Sequence, residues 1–131
     1  TILSWYVDSS AILKLIFTEK ETAALDKVMG NQYVTSMISR VEVNRSVNRI
    51  NISLLNVASD VLNQFRFSEV SVTILRIAEH FGPQITLKSL DAIHMATVIT
   101  LGENIEGMIT YDKQLAKNAY NLGIKVLSPG A

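Results

Sequence analysis

The sequence predicts a single α/β domain, with a mainly parallel sheet and helices on both of its faces. Three observations carry this reading. Short apolar, β-branched segments alternate along the chain with longer segments of helical periodicity. The first short segment, Ile2-Leu-Ser-Trp-Tyr-Val7, lacks inside–outside alternation, as expected of a strand buried on both faces. The chain has 131 residues, 48% hydrophobic and 18% charged, which suits one core and is too small for two.

Each element has a local reason. Asp8-Ser9-Ser10 reads as the N-cap of a helix over residues 11–17, in which Ile12, Leu15 and Ile16 have helical spacing. Thr18 and Glu21 form a capping box for a helix over 18–29, ended by Gly30-Asn31. Residues 33–35 make a short strand. A helix follows over 36–50, with Val43, Val47 and Ile50 as its buried stripe. Another helix spans 53–67, carrying Leu54, Leu55, Val61, Leu62 and Phe65. A strand over 69–72 leads to a short helix over 73–80, closed by Gly82-Pro83. A long apolar helix runs over 87–101 to Gly102. The last three elements are a strand over 107–111, a helix over 112–122 closed by Gly123, and a strand over 124–127. The expected domain covers residues 1–131.

Composition excludes several function classes. Low charge and high apolar content exclude intrinsic disorder. With no cysteine there is no disulfide scaffold, thiolate metal site or cysteine nucleophile, which fits a reducing compartment. Lys+Arg and Asp+Glu number 12 each, so the net charge of zero argues against wrapping duplex nucleic acid. A local grip on phosphates, for instance through a metal ion, stays open. No apolar run approaches the roughly 20 residues of a membrane span and no export signal is visible, so the expectation is a cytoplasmic protein.

Four acids stand apart from the polar surface stretches. Asp8 and Asp112 each follow a strand and precede a helix. Each reads as an N-cap, but each also lies at the carboxyl end of a parallel strand, where open α/β sheets bind ligands. Asp91 shares its helix side with Leu87, Met95 and Val98, where a carboxylate is costly unless paired or metal-bound. The helix dipole offers a blander account of a first-turn Asp. Glu42 lies opposite the apolar stripe, with Arg45 and Arg49 on its side. Alone it reads as a solvated ion pair; beside the other acids it reads as a metal ligand flanked by two phosphate-binding guanidiniums.

Three or four carboxylates on one edge repel one another and call for a cation. Only His80 and His94 could add nitrogen ligands, so the ion should be hard, Mg²⁺ or Mn²⁺. Such an ion suits phosphodiester hydrolysis. His94 itself reads as a hydrogen-bonded core histidine, and Trp5 as packing.

Four segments carry a resemblance. They are Tyr6-Val-Asp-Ser-Ser-Ala-Ile-Leu-Lys14, Ser39-Arg-Val-Glu42, Leu87-Lys-Ser-Leu-Asp-Ala-Ile-His-Met-Ala96 and Ile109-Thr-Tyr-Asp-Lys-Gln-Leu115. In this order, over Trp5 to Pro129, the chain resembles the PIN-domain ribonucleases, especially the VapC-type toxins of toxin–antitoxin pairs. The resemblance implies a parallel five-stranded sheet with helices on both sides. It implies Mg²⁺- or Mn²⁺-dependent endonucleolytic cleavage of single-stranded RNA, a protein antitoxin that covers the site, and commonly a homodimer. Asp8, Asp91 and Asp112 then match the metal ligands, and Glu42 a fourth ligand or the group that orients the attacking water. Ser9, with Ser10, and Thr110 would support the site, and Arg45 and Arg49 would bind flanking phosphates. Two alternatives stay open: a PIN-like module that binds RNA or a partner without cutting, and a PIN nuclease of RNA processing. A signalling receiver fits poorly, because Asp8 is followed by serines and residues 50–59 lack the phospho-accepting acid. A haloacid-dehalogenase-like phosphatase lacks its second Asp at Ser10.

Overall fold

A computed structural model describes residues 4–30 and 32–131. Five parallel strands form one sheet in the order β3-β2-β1-β4-β5: β1 Ser4–Val7, β2 Tyr33–Ser36, β3 Arg66–Ser68, β4 Ile105–Ile109 and β5 Val126–Leu127. The helices between them are α1 Ser9–Ile16, α2 Thr22–Val28, α3 Ile38–Ile50, α4 Leu55–Leu62, α5 Val72–Glu79, α6 Ser89–Leu101 and α7 Lys113–Asn121. Residues 2 and 3 of the expected first strand, and Asn31 at the expected helix stop, lie outside the described residues.

The sheet has a core on each face because its central strands are apolar at successive positions. Val7 and Ile109 face Ala11, Ile12, Leu25, Val43, Val47 and Leu62, which come from α1 to α4. Their neighbours Tyr6 and Met108 face Met95, Val98, Leu115 and Ala119 of α6 and α7. α5 packs on α6 rather than on the sheet. The chain builds β1, β2 and β3 outward in one direction, then crosses to the other side of β1 for β4 and β5. The strand order therefore reverses between β1 and β4, and open α/β sheets have their ligand-binding crevice at the carboxyl ends of strands at such a reversal.

Several expected boundaries move, each for a physical reason. Thr18 does not cap α2, and no capping box forms. Glu19 and Glu21 are held by the Lys14 ammonium at 3.0 and 3.3 Å, so neither reaches back to the helix start. The Thr22 hydroxyl instead accepts from the Glu19 N–H and donates to the Lys14 carbonyl, which delays the helix to Thr22. α4 stops at Leu62, and Phe65 reaches the core from the turn that follows, so the apolar pattern outruns the helix. The third strand is 66–68 instead of 69–72, and Ser71 caps α5 by accepting from the Ile74 N–H. Ser36 ends β2 rather than starting a helix. Ile50, expected in the buried stripe, is 61% exposed, because the last turn of α3 runs past the packed face. β4 ends at Ile109, which releases Thr110 and Tyr111 from the strand and leaves them at the crevice.

Candidate active site

The crevice is built on Asp8. Its backbone is extended while α1 begins at Ser9, so its carboxylate turns over the helix start and accepts from the Ala11 N–H at 3.1 Å. Ser10 Oγ donates to the same oxygen at 2.6 Å, and Thr110 Oγ1 donates to Asp8 Oδ2 at 2.6 Å. Asp8 is only 3% exposed, and the capping expected of it is present. Thr110 joins β4 to this centre and also accepts from the Asp112 N–H at 3.1 Å. Asp112 caps α7, accepting from the Leu115 N–H at 2.9 Å, and stays half-buried. Ser10 Oγ accepts from the Tyr111 N–H at 2.9 Å and closes the loop.

Glu42 and Asp91 arrive from opposite faces of the sheet. Glu42 lies on α3, whose buried face packs with α1 and α4, yet its carboxylate reaches over the strand ends. Its Oε1 accepts from Ser9 Oγ at 2.6 Å and lies 2.6 Å from His94 Nε2 of α6. His94 is 1% exposed, and its Nδ1 lies 2.5 Å from the Tyr6 hydroxyl. Asp91 stands one turn before His94, in the first turn of α6 and partly exposed.

Burial and neighbouring charges shift three of these acids and His94. Burial, then the charge of Asp112, then those of Asp8 and Glu42 hold the Asp91 carboxyl above its ordinary value, against an opposing pull from His94. Burial also raises Asp8, opposed by His94 and by the Ser10, Thr110 and Ala11 donors. Burial alone would raise Glu42, but the hydrogen bond and charge of His94, with Ser9, bring it below its ordinary value. Burial alone would lower His94, but Glu42, Asp8 and Asp91 raise it.

These residues fit a hard divalent cation by chemistry. The donors are carboxylate and hydroxyl oxygens, the ligand type that a hard divalent cation takes. Asp8, Glu42, Asp91 and Asp112 are the residues that would hold it. As they stand, no three His, Cys, Asp or Glu side chains among the described residues are gathered into a metal-holding cluster. Arg45 and Arg49 stand apart. They lie exposed on the outer side of α3, beside Asn48 along a shallow depression, with no ion pair among the described residues.

His94 and Tyr6 are the members of this cluster that sequence reasoning placed only in the core. One signal was available: besides Lys88 and Asp91, His94 is the only ionisable residue in the apolar segment 87–101, three positions after Asp91.

A sequence profile described as the PIN domain matches residues 5–120. The chain belongs to the PIN domain family. Within that family it is similar over nearly its whole length to ribonucleases of the VapC group. It is 32% identical over 131 residues to Ribonuclease VapC35 of Mycobacterium tuberculosis, covering 95% of this chain and 96% of the relative. It is 33% identical over 126 residues to Ribonuclease VapC46 of the same organism, covering 95% and 96%. Among solved structures, the fold matches M. tuberculosis VapC20, described as a sarcin–ricin loop cleaving toxin, with a TM-score of 0.77 at 16% identity, covering 96% of this chain and 100% of that one. It also matches a chain of a toxin–antitoxin complex from Klebsiella pneumoniae, with a TM-score of 0.76 at 20% identity and coverage of 96% and 98%. At these identities the solved structures speak for the fold. The five-stranded parallel sheet with helices on both faces agrees with the architecture read from the sequence.

Proposed function

We propose that this protein is an endoribonuclease that uses Mg²⁺ or Mn²⁺ to hydrolyse phosphodiester bonds of RNA, and that it is the toxin of a toxin–antitoxin pair. The observation that carries the reading is the placement of Asp8 and Asp112 after β1 and β4, where the strand order reverses, with Glu42 on α3 and Asp91 on α6 supplied from the two faces of the sheet. Relatives at 32% identity called ribonucleases support the activity, and a toxin–antitoxin complex of the same fold supports a protein antitoxin as partner.

The metal, when bound, supplies an acidified water and neutralises charge that develops on the phosphate. The chain's own residues do the rest. Ser10, Thr110 and the start of α1 hold Asp8 with its oxygens fixed, so little reorganisation is needed when a ligand arrives. Asp112 and Asp91 project from the first turns of α7 and α6 and complete the anionic set. Glu42 serves as a fourth ligand or orients the attacking water. Arg45 and Arg49 bind phosphates that flank the scissile one, and Ser9 and Thr110 support the carboxylates. Residues 1–131 act as one PIN unit, in a homodimer in the cytoplasm. No helix among the described residues is long and apolar enough to cross a membrane.

The test is cleavage of a labelled RNA pool by the purified protein with Mg²⁺, with Mn²⁺ and with EDTA, beside Asp8→Asn. The expected result is metal-dependent cutting that the variant loses. Cutting that survives both EDTA and the substitution rejects the metal mechanism. RNA binding without cutting by either protein favours a non-catalytic module.

A further inference from the structure

His94 is a buried titratable side chain next to the site without a part in the reaction. His94 on α6 is bonded on both ring nitrogens, to the Tyr6 hydroxyl on β1 and to Glu42 Oε1 on α3. Glu42 Oε1 also accepts from Ser9 of α1. One carboxylate oxygen therefore collects contacts from two elements, while α3 and α6 lie on opposite faces of the sheet. The Glu42–His94 contact joins the two helical layers over the strand ends.

We propose that His94 is a positioning residue, which donates its Nε2–H to Glu42 Oε1 and so leaves Oε2 as the single oxygen that Glu42 presents to the site. The inference rests on the reading of Glu42 as part of the metal-dependent centre. The direction of the bond follows from the partners. An ionised carboxylate carries no proton, so the hydrogen between Oε1 and Nε2 belongs to the ring. Tyr6 holds the far nitrogen and fixes the plane of the imidazole, as a partner on the far nitrogen orients a ligating or positioning histidine. With Ser9 and His94 both on Oε1, that oxygen's acceptor capacity is taken up and the carboxylate cannot rotate without breaking two contacts. A glutamate has three side-chain torsions to fix, so this double anchor stands where Asp8 has its helix cap.

Two measurements test this on the full chain. The first needs no variant at His94. Long-range ¹H–¹⁵N spectra resolve the ring nitrogens of the two histidines, and His80→Gln assigns them, since His80 lies exposed on the surface. The expected result is a protonated Nε2 in His94 at neutral pH; an unprotonated Nε2 overturns the proposal. The second compares wild type, His94→Leu and His94→Gln for Mn²⁺ affinity by calorimetry and for RNA cleavage. His94→Leu should lose about 10–100-fold in Mn²⁺ affinity and in kcat, the usual scale for an orienting partner, while KM for RNA moves by less than about threefold. His94→Gln keeps an N–H at a similar reach and should recover most of the loss. A folded His94→Leu with wild-type Mn²⁺ affinity and kcat overturns the positioning role. A wild type that neither binds Mn²⁺ nor cuts RNA overturns the proposed function itself, and this inference with it.

Discussion

Asp8 shows how much one residue does here. The same carboxylate caps α1 and ties β1 to the segment after β4 through Thr110. Its capping role was legible in the sequence, because a βα loop at the carboxyl edge of a parallel sheet places an Asx residue at the helix start. Asp91 was legible as a lone acid on an apolar helix. The Glu42–His94–Tyr6 chain was not, because its members are 52 and 88 positions apart in sequence and no local rule joins them. Tyr6→Phe strips a buried nitrogen of its partner and should cost about 1–3 kcal/mol in a denaturant titration, with a slope like that of the wild type. Asp91→Asn should raise the melting temperature in EDTA at neutral pH, at the expense of activity. The sign follows from Asp91 being held above its ordinary value of 3.8 by burial and by Asp112. Folding favours its protonated form, so the wild type loses stability as pH rises through the raised value. The gain from the amide should therefore shrink as pH falls below 3.8, where the acid is protonated in both states. Melting curves of both proteins at several pH values measure this; a gain that persists at low pH would speak against charge repulsion.

At the scale of elements, periodicity found each helix and missed some of its ends. The apolar pattern over 53–67 continues through Phe65, which is buried from a turn and not from a helix, so the third strand was expected at 69–72 and stands at 66–68. Thr18 and Glu21 had the spacing of a capping box, but Lys14 holds the Glu21 carboxylate. Side-chain competition of this kind is tertiary and leaves no trace in spacing. The cap that does form was not expected: Ser71 accepts from the Ile74 N–H at 3.2 Å. Ser71→Ala should therefore cost about 0.5–2 kcal/mol. Thr18→Ala should stay within about 0.5 kcal/mol of wild type, as for an ordinary surface change. Paired thermal melts read both. A larger loss at Thr18 than at Ser71 would restore the capping box and contradict the start of α2 at Thr22.

For the whole molecule, topology produces the site. Building β1 to β3 outward and then crossing to β4 brings Asp8 and Asp112, far apart in sequence, to one crevice. The same crossing sends α3 and α6 to opposite faces, so Glu42 and Asp91 approach that crevice from two sides. This order was readable from the alternation of strands and helices, and the four segments resembling PIN ribonucleases marked its acids. The close fit of the central strands was not. A Cβ on Gly107 would lie 2.4 Å from the Lys125 carbonyl and 2.9 Å from the Trp5 ring, so a side chain there would force β1 and β5 to shift.

On the proposed function, the four carboxylates act as one metal site. Calorimetric titration of Mn²⁺ into wild type, Asp8→Asn, Glu42→Gln, Asp91→Asn and Asp112→Asn tests it most directly. The expected result is binding in the wild type and weakening of at least about tenfold in every variant, since each removes a charge from a shared ligand set. Mn²⁺ affinity that ignores any of the three aspartates, in a variant that melts like the wild type, would remove that residue from the site. Affinity that ignores all four would contradict the account.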